Sequence, residues 1–291
     1  MTPFEKSLED ISKKARPAKP LEQEKKIKIM QKTKEKGNLS AEPLESKEPC
    51  EITAKAIHVV ELKPKGSAGD IVMTVKDSKK VALELTDVWI VSGSVTVDWG
   101  DGSPIVKHKL DEDEEYLELA KEYDNVGEYS ITLNAKARWI DDLQSLVCSN
   151  NKITSIDVSK CKWLTGCLHC DDNNLTSLDI SKAKISGLYC SDNQLTSLLL
   201  SEKCSLEVLH CSNNELTELK LHHQKKLEWV DIRNCKFQAS ALNELMQTLH
   251  GGGGKMTITG NPGADDCDRS IAEGKGWKFL KRVGDAFVPD I

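Results

Sequence analysis

The sequence predicts a mainly β protein with some α-helix: an immunoglobulin-like β-sandwich domain, a short solenoid of about five repeats, and an α/β C-terminal cap. Three observations support this fold class. Residues 51–137 contain short β-branched runs in which apolar and polar residues alternate. Residues 138–238 repeat a cysteine-containing unit about every 21 residues. Residues 239–291 begin with apolar residues at helical spacing, as expected of a cap that shields the last open coil.

Composition excludes several classes of protein. The 291 residues carry a net charge of −6, which argues against a nucleic-acid binder, because such domains usually present a strongly basic face. No apolar run approaches the ~18 residues of a membrane span, and the first residues are too charged for a signal peptide. We therefore expect a soluble chain without a membrane span or a cleavable export signal.

Residues 1–50 differ from the rest of the chain. They are rich in lysine and glutamate and poor in aromatic residues. Such a segment buries too little apolar surface to offset its ordering entropy. The sequence predicts a charged, mostly disordered arm that serves as a tether or, alternatively, as a docking or secretion-addressing segment.

Strand patterns begin at residue 51, in the runs EITAKAIHVVEL, DIVMTVKD, KVALEL and VWIVSGSVTVDWGD. Asp101 and Gly102 predict a turn after a strand that ends at Trp99. The acidic segment 111–123 is interpreted as a solvated loop, and Gly127 as a turn into a last strand, Tyr129 to Leu133. These short antiparallel strands predict a small sandwich over residues 51–137.

Two segments of this domain, VTVDWGDGS and KEYDNVGEYSITL, resemble the paired signature of the PKD family of immunoglobulin-like sandwiches. The resemblance implies a spacer or adhesion module without catalytic chemistry. A calcium site at Asp98, Asp101 and the acidic loop is an alternative, but the aspartate spacing does not match an EF-hand loop. A structural turn is therefore the preferred interpretation.

The repeats align on cysteine and read LVCSNNKITSIDV, LHCDDNNLTSLDI, LYCSDNQLTSLLL, LHCSNNELTELKL and VDIRNCKF. Each fits the leucine-rich repeat. Period-two alternation places two columns in the core. One column holds leucine or valine (Leu146, Leu168, Leu188, Leu209, Val230) and the other holds cysteine or isoleucine (Cys148, Cys170, Cys190, Cys211, Ile232).

A third column follows three residues after each cysteine: Asn151, Asn173, Asn193, Asn214 and then Cys235. An asparagine side chain both donates and accepts, so it can satisfy backbone groups of neighbouring coils at the bend. Repeats of about 21 residues leave no room for a full helix on the return arc. We expect extended or 3₁₀ segments there.

These units resemble the cysteine-ladder repeats of internalin-like surface proteins and, more closely, the repeats of Bacteroidetes proteins in which a PKD-like domain precedes the solenoid. The chain departs from that pattern because it shows no export signal, lipoprotein cysteine or sorting domain. The resemblance implies adhesion or recognition at or outside the cell surface, but the departure leaves the compartment open.

The cap should begin with a helix that buries four apolar residues: Leu242, Leu245, Met246 and Leu249. After the glycine run, residues 256–259 should add an edge strand. Asp265 or Asp266 should N-cap a short helix from about Asp268.

Ten cysteines invite a redox or metal interpretation, and Cys167-x-x-Cys170 is the most suggestive pair. Residues three apart on a strand face opposite sides, however, so one metal ion cannot easily bind both thiols. The ladder cysteines are interpreted as small core residues, with a Cys235–Cys267 disulfide left open. No catalytic, nucleotide-binding or metalloprotease motif occurs, so we expect no enzyme activity, no cofactor and no metal.

The predicted function is therefore protein or glycan binding, without catalysis, through the concave face of the solenoid. Side chains that alternate with the core columns face outward there. The candidate ligand-binding residues are Val147, His169, Tyr189, His210, Trp229, Asp231 and Arg233. Exposed aromatic residues are typical anchors of interfaces. Two alternatives remain open: the rings only cover the sheet, with Trp229 packed on the cap, or the solenoid is a spacer and the charged N-terminal arm makes the functional contact. We expect the protein to be a monomer.

Overall fold

The computed structural model describes residues 71–86, 93–110, 116–137, 144–161, 164–202, 206–284 and 286–290. The arm predicted for residues 1–50 and the first predicted strand of the N-terminal domain lie outside the described residues. Within them, the architecture is mostly β: one continuous 13-stranded sheet runs through the N-terminal module, solenoid and cap, and two strands of the return arcs form a separate small sheet.

The described part of the N-terminal module contains four strands: β1 (Ile71–Thr86), β2 (Gly93–Asp98), β3 (Val106–Leu110) and β4 (Tyr116–Ala137). They pair antiparallel in the order β1-β4-β2-β3. Their inward residues, among them Met73, Leu83 and Val97, are buried. An antiparallel β module is thereby confirmed, whereas a two-sheet PKD-like sandwich stays a prediction.

Two local predictions in this module are wrong. The runs DIVMTVKD and KVALEL form the single strand β1, with a register irregularity near Asp77 where the backbone is left-handed. Residues 116–123, predicted as part of a loop, and Gly127, predicted as a turn, belong to β4. The reason is the partner strand: Leu119 buries opposite Leu83, and Glu122 lies opposite Lys80, so the acidic residues have favourable positions in the ladder.

The turn predicted after β2 is present. Asp98 Oδ1 accepts a hydrogen bond from the Gly100 N–H at 3.0 Å, and Asp101 Oδ1 accepts from the Ser103 N–H at 3.0 Å. Lys121 of β4 lies 2.6 Å from the Asp101 carboxylate, which fixes the turn against the sheet. The Tyr123 hydroxyl donates to the Trp99 carbonyl at 2.9 Å and so ties the two halves of the PKD-like signature together.

The solenoid follows with five short strands: β5 (Ser145–Val147), β7 (Cys167–His169), β9 (Gly187–Tyr189), β11 (Val208–His210) and β12 (Trp229–Asp231). They pair in parallel and in register from one coil to the next. The return arcs carry the extended segments β6 (Ile153–Asp157), β8 (Ser177–Asp179) and β10 (Ser197–Leu199), in agreement with the short repeat. Strand β1 pairs with both β5 and β6, and so covers the first coil.

The core columns lie where the repeat predicts them. The leucine and valine column and the cysteine and isoleucine column are fully buried, each residue at 0% exposure. The asparagine ladder is also confirmed. Asn193, for example, donates to the carbonyls of Cys170 and Cys190 and accepts from the Leu175 N–H at 3.0 Å. The ladder continues beyond the five predicted members, because Asn261 bonds the Ile232 carbonyl and the Phe237 N–H in the same way.

The cap comprises α1 (Ala239–Thr248), β13 (Gly254–Thr257), α2 (Ser270–Glu273), β14 (Trp277–Val283) and β15 (Ala286–Pro289). Helix α1 buries Leu242, Leu245 and Met246, and the fourth predicted residue, Leu249, is buried as its C-cap. Lys275 Nζ donates to three carbonyls at the end of α1. Two predictions are wrong. Strand β13 is not an edge strand, because β14 pairs with it in parallel. At the start of α2 the Ser270 N–H donates to Asp268 Oδ1, so Asp268, and not Asp265 or Asp266, makes the hydrogen bond predicted for the N-cap.

Candidate ligand-binding face

The strand face is defined here as the side chains of β5, β7, β9, β11 and β12, with the residues that follow each strand, that point away from the core. Because the strands are in register, equivalent outward residues form columns across the coils. The central column contains Val147, His169, Tyr189, His210 and Asp231, as predicted. Trp229 lies in the preceding column and Arg233 in the following one.

Aromatic rings line this face in an unbroken series. His169 and Tyr189 stack with centroids 4.2 Å apart and planes 5° from parallel. Tyr189 and His210 meet edge to face at 5.1 Å, as do His210 and Trp229 at 5.3 Å. Stacked and edge-to-face pairs at these distances are favourable beyond the area they bury. The rings are only partly exposed, so they form a preorganised surface with little side-chain freedom left to lose.

Phe287 of β15 adds a fifth ring that the sequence did not indicate. In the sheet order, β15 is three strands away from β12, a distance of about 14 Å in a flat sheet. The Phe287 ring nevertheless meets Trp229 edge to face at 4.9 Å and lies 5.2 Å from the Arg233 guanidinium. Since β14 pairs with β13 only over residues 277–279, the rest of the β14–β15 hairpin turns toward the strand face.

Two polar atoms under this ring series have no hydrogen-bond partner and no solvent contact: His210 Nε2 and Trp229 Nε1. Leaving a buried donor or acceptor unpaired costs about 1–3 kcal/mol. Burial also lowers the pKa of His210, an effect that Asp231 partly opposes. The rings at this end of the face are thus held in place at a local cost in stability.

Asp231 does not point into solvent as predicted. It is 2% exposed and forms a bidentate ion pair with Arg233, at 2.8 and 2.7 Å, while Thr257 donates to it at 2.7 Å. Burial alone would raise the pKa of Asp231, but the hydrogen bonds from Arg233 and Thr257 lower it. Asp231 therefore holds Arg233 against Phe287, and only Arg233 of the two remains partly exposed for contact with a ligand.

The opposite end of the face is acidic. Asp171 lies in the same column as Arg233 and accepts a hydrogen bond from the Ser191 N–H at 2.9 Å. The backbone N–H of Asp171 itself also donates to this carboxylate, and the Ser149 hydroxyl lies 3.5 Å from it. Burial raises the pKa of Asp171 to about 6, and the charges of Asp172 and Asp192 add to the increase. No sequence signal distinguished Asp171, because the position is occupied by serine in the other early coils.

Asp172 and Asp192 belong to a further column that sequence reasoning missed. It consists of exposed residues with left-handed backbone, φ 52° to 58°: Asn150, Asp172, Asp192, Asn213 and Asn234. Asparagine and aspartate tolerate this conformation better than other residues with a Cβ. Their regular occurrence just before the ladder position was the available signal.

The cysteines are structural in the described residues. Eight are present there, and none forms a disulfide. Cys235 donates weakly to the Cys211 carbonyl, and Cys267 lies by the Ala264 carbonyl, so the two are not joined. Burial raises the pKa of the Cys148 and Cys170 thiols, which makes them poor nucleophiles. The described residues contain no group of three or more histidine, cysteine or acidic side chains placed to hold a metal ion.

A search of the described part of the chain for a helix long and apolar enough to cross a membrane found none.

No protein-family model matches the chain, and no curated protein matches it. Among solved structures, the chain is similar to the functional domain of InlJ from Listeria monocytogenes, which is described as including a cysteine ladder. The two share 27% sequence identity with a TM-score of 0.39, and the likeness covers 50% of this chain but 30% of that chain. The leucine-rich repeats and the cysteine ladder of the present chain rest on its own strand register and buried columns.

Proposed function

We propose that this protein is a non-enzymatic recognition protein that binds a protein or glycan partner through the strand face. The observation that carries the proposal is the ring series His169–Tyr189–His210–Trp229, which crosses four neighbouring coils. If the rings only covered the sheet, they would not need to contact one another from each coil to the next. Partly exposed, mutually packed aromatic residues are the side chains that most often dominate binding energy in interfaces.

The size of the face is consistent with this role. Five strands at about 4.8 Å make a strip on the order of 20 Å wide, the scale of a modest protein or glycan contact. The parallel pairing and the asparagine ladder hold the strands rigidly, so a partner would meet a preformed surface.

The N-terminal module fits the same proposal as a spacer. We infer that residues 51–137 form a PKD-like domain that positions the solenoid. The antiparallel pairing of its four described strands and the Tyr123–Trp99 hydrogen bond between the two signature segments support this assignment.

The test compares partner retention by three full-length proteins. The first is the wild type, and the second carries His169→Ala and Tyr189→Ala, which remove two partly exposed rings while leaving the core columns intact. The matched control carries Lys182→Ala and Lys184→Ala on the return arc, where both side chains are exposed. Each protein is incubated with a glycan array and with extracts of the native cell, and the amount of glycan or protein that it retains is measured. Loss of retention in the ring variant alone supports the proposal, provided its circular dichroism is unchanged.

Equal retention by all three proteins would refute binding through the strand face. If retention were instead lost on deletion of residues 1–50, the charged arm would be the functional contact and the solenoid a spacer.

A further inference from the structure

Asp171 is a carboxylate on the strand face whose charge no lysine or arginine of the described residues compensates. Other sheltered carboxylates are compensated: Asp231 pairs with Arg233, and Asp290 lies 2.9 Å from Arg269. Asp172 and Asp192 carry the same negative sign, and their charges raise the pKa of Asp171 further. A sheltered carboxylate in this position is costly to ionise, and a cation would remove that cost.

The acceptor capacity of Asp171 is only partly used. An ionised carboxylate offers about four acceptor positions. The Ser191 N–H at 2.9 Å and the backbone N–H of Asp171 itself take two of them, and the Ser149 hydroxyl approaches a third at 3.5 Å, the limit of a hydrogen bond. Room for a charge-assisted pair with an incoming donor therefore remains.

The neighbouring rings supply an apolar wall. His169 lies two residues before Asp171 on the same side of the chain, and Tyr189 stacks on it from the next coil at 4.2 Å. Within the described residues the Tyr189 hydroxyl makes no hydrogen bond, and its pKa is raised to about 12, mainly by burial and further by Cys167 and Asp171. Long basic side chains pack their aliphatic stems along such surfaces while the charged end seeks a partner.

We propose that this end of the strand face binds a lysine or arginine side chain of a partner protein, with Asp171 as the ion-pair acceptor and the His169–Tyr189 rings as the wall for its aliphatic stem. The proposal rests on the proposed function and narrows it, since it favours a protein over a glycan. Charge complementarity carries it: sugar hydroxyls could donate to Asp171 but could not neutralise it.

The probe is Nα-acetyl-arginine amide, compared with the neutral isostere Nα-acetyl-citrulline amide. Both are titrated at millimolar concentration into full-length protein at pH 7 and low salt. Carbon-13 NMR of the Asp171 carboxyl and nitrogen-15 NMR of the Ser191 amide report binding. The expected result is a saturable shift with arginine that is at least tenfold weaker with citrulline, and a lowered pKa for Asp171 when arginine is bound.

Two variants separate a specific site from general attraction of cations. Asp171→Asn should abolish the arginine response at Ser191 while leaving the rest of the spectrum in place, because its amide oxygen can still accept from the Ser191 N–H. Asp265→Asn, in an exposed turn of the cap, should bind arginine like the wild type. Equal responses to arginine and citrulline, or an arginine response that survives Asp171→Asn, would overturn the proposal.

Failure of this inference differs from failure of the proposed function. If partner retention depends on His169 and Tyr189 but not on Asp171, only the basic-side-chain assignment is wrong. If retention depends on neither, binding through the strand face is itself wrong.

Discussion

Asp171→Asn should make the free protein more stable at neutral pH. Burial raises the pKa of Asp171 to about 6 from the ordinary 3.8, so the folded protein must hold an ionised carboxylate in a poorly solvated place above pH 6. A shift of two units corresponds to about 3 kcal/mol. Because the side chain keeps some solvent contact, we expect a gain of about 1.5 kcal/mol from the neutral amide.

The sign of the pH dependence follows from the same shift. Between the ordinary pKa of 3.8, which applies to the unfolded state, and the folded value of about 6, the folded state binds more protons than the unfolded state. Stability contributed by Asp171 is therefore present at low pH and is lost as pH rises through this window. The difference in unfolding free energy between wild type and variant should be near zero at pH 4 and largest above pH 6.5.

Urea unfolding followed by circular dichroism at pH 4, 5.5 and 7 measures this difference, and titrations common to both proteins cancel in it. Asp172 and Asp192, the charged neighbours, are unchanged in the variant. A variant less stable than the wild type at pH 7, or a difference that does not vary with pH, would refute the assignment of Asp171 as an uncompensated carboxylate.

Three further outcomes are expected in the same unfolding assay. Gly100→Ala should destabilise the protein by about 3 kcal/mol, because φ is +73° and a Cβ would collide with the Ser130 backbone. Gly102→Ala, at a similar φ but with open space around the Cβ, should cost about 1 kcal/mol. Equal losses in the two variants would contradict the steric argument. Asn193→Ala should cost about 3 kcal/mol, since it strands buried backbone groups on two coils, and a loss below 1 kcal/mol would show that the ladder is dispensable. His210→Phe should stabilise by about 1 kcal/mol at pH 7 and by more at pH 5. The lowered pKa of the histidine makes stability fall as pH drops below about 6.5, and an unchanged pH profile would contradict this prediction.

The solenoid was the most predictable part of the molecule, because its signal is repeated. Leu188 and Cys190 alone could be assigned to many folds, but the same alternation in every coil leaves one arrangement that buries both columns. The asparagine ladder was predictable for a chemical reason: a side chain with both a donor and an acceptor recurs at a bend where backbone groups need partners.

The N-terminal module and the hairpin were less predictable, because their structure depends on contacts distant in sequence. The acidic run before Tyr123 resembles a loop until Lys80 and Leu83 lie opposite it in the neighbouring strand. Phe287 has no periodic pattern that would place it against Trp229. Tertiary pairing decided both positions, and local sequence carries little of that information.

The sequence predicted the positions of the aromatic rings on the strand face, but it did not predict how the charged residues there are paired. The columns follow from period two, which placed His169 and Tyr189 correctly. Asp231 and Asp171 both occupy outward positions of this pattern, but Arg233 neutralises Asp231, whereas no lysine or arginine of the described residues neutralises Asp171. That difference depends on whether a basic side chain is within reach, as Arg233 is two residues after Asp231, and it separates a structural ion pair from the candidate contact.

The asparagine ladder also determines the order in which the bends of the solenoid can be completed during synthesis. The carbonyl oxygen of Asn173 accepts from the N–H groups of Asn151 and Ile153, in the coil before it, and Asn261 does the same for Phe237. Each bend is therefore completed by the coil synthesised after it, about 20 residues later. During translation, the backbone N–H groups at the bend of the newest coil lack their asparagine acceptor until the next coil is synthesised. A chain truncated within the repeats therefore ends in a bend whose N–H groups have no such acceptor.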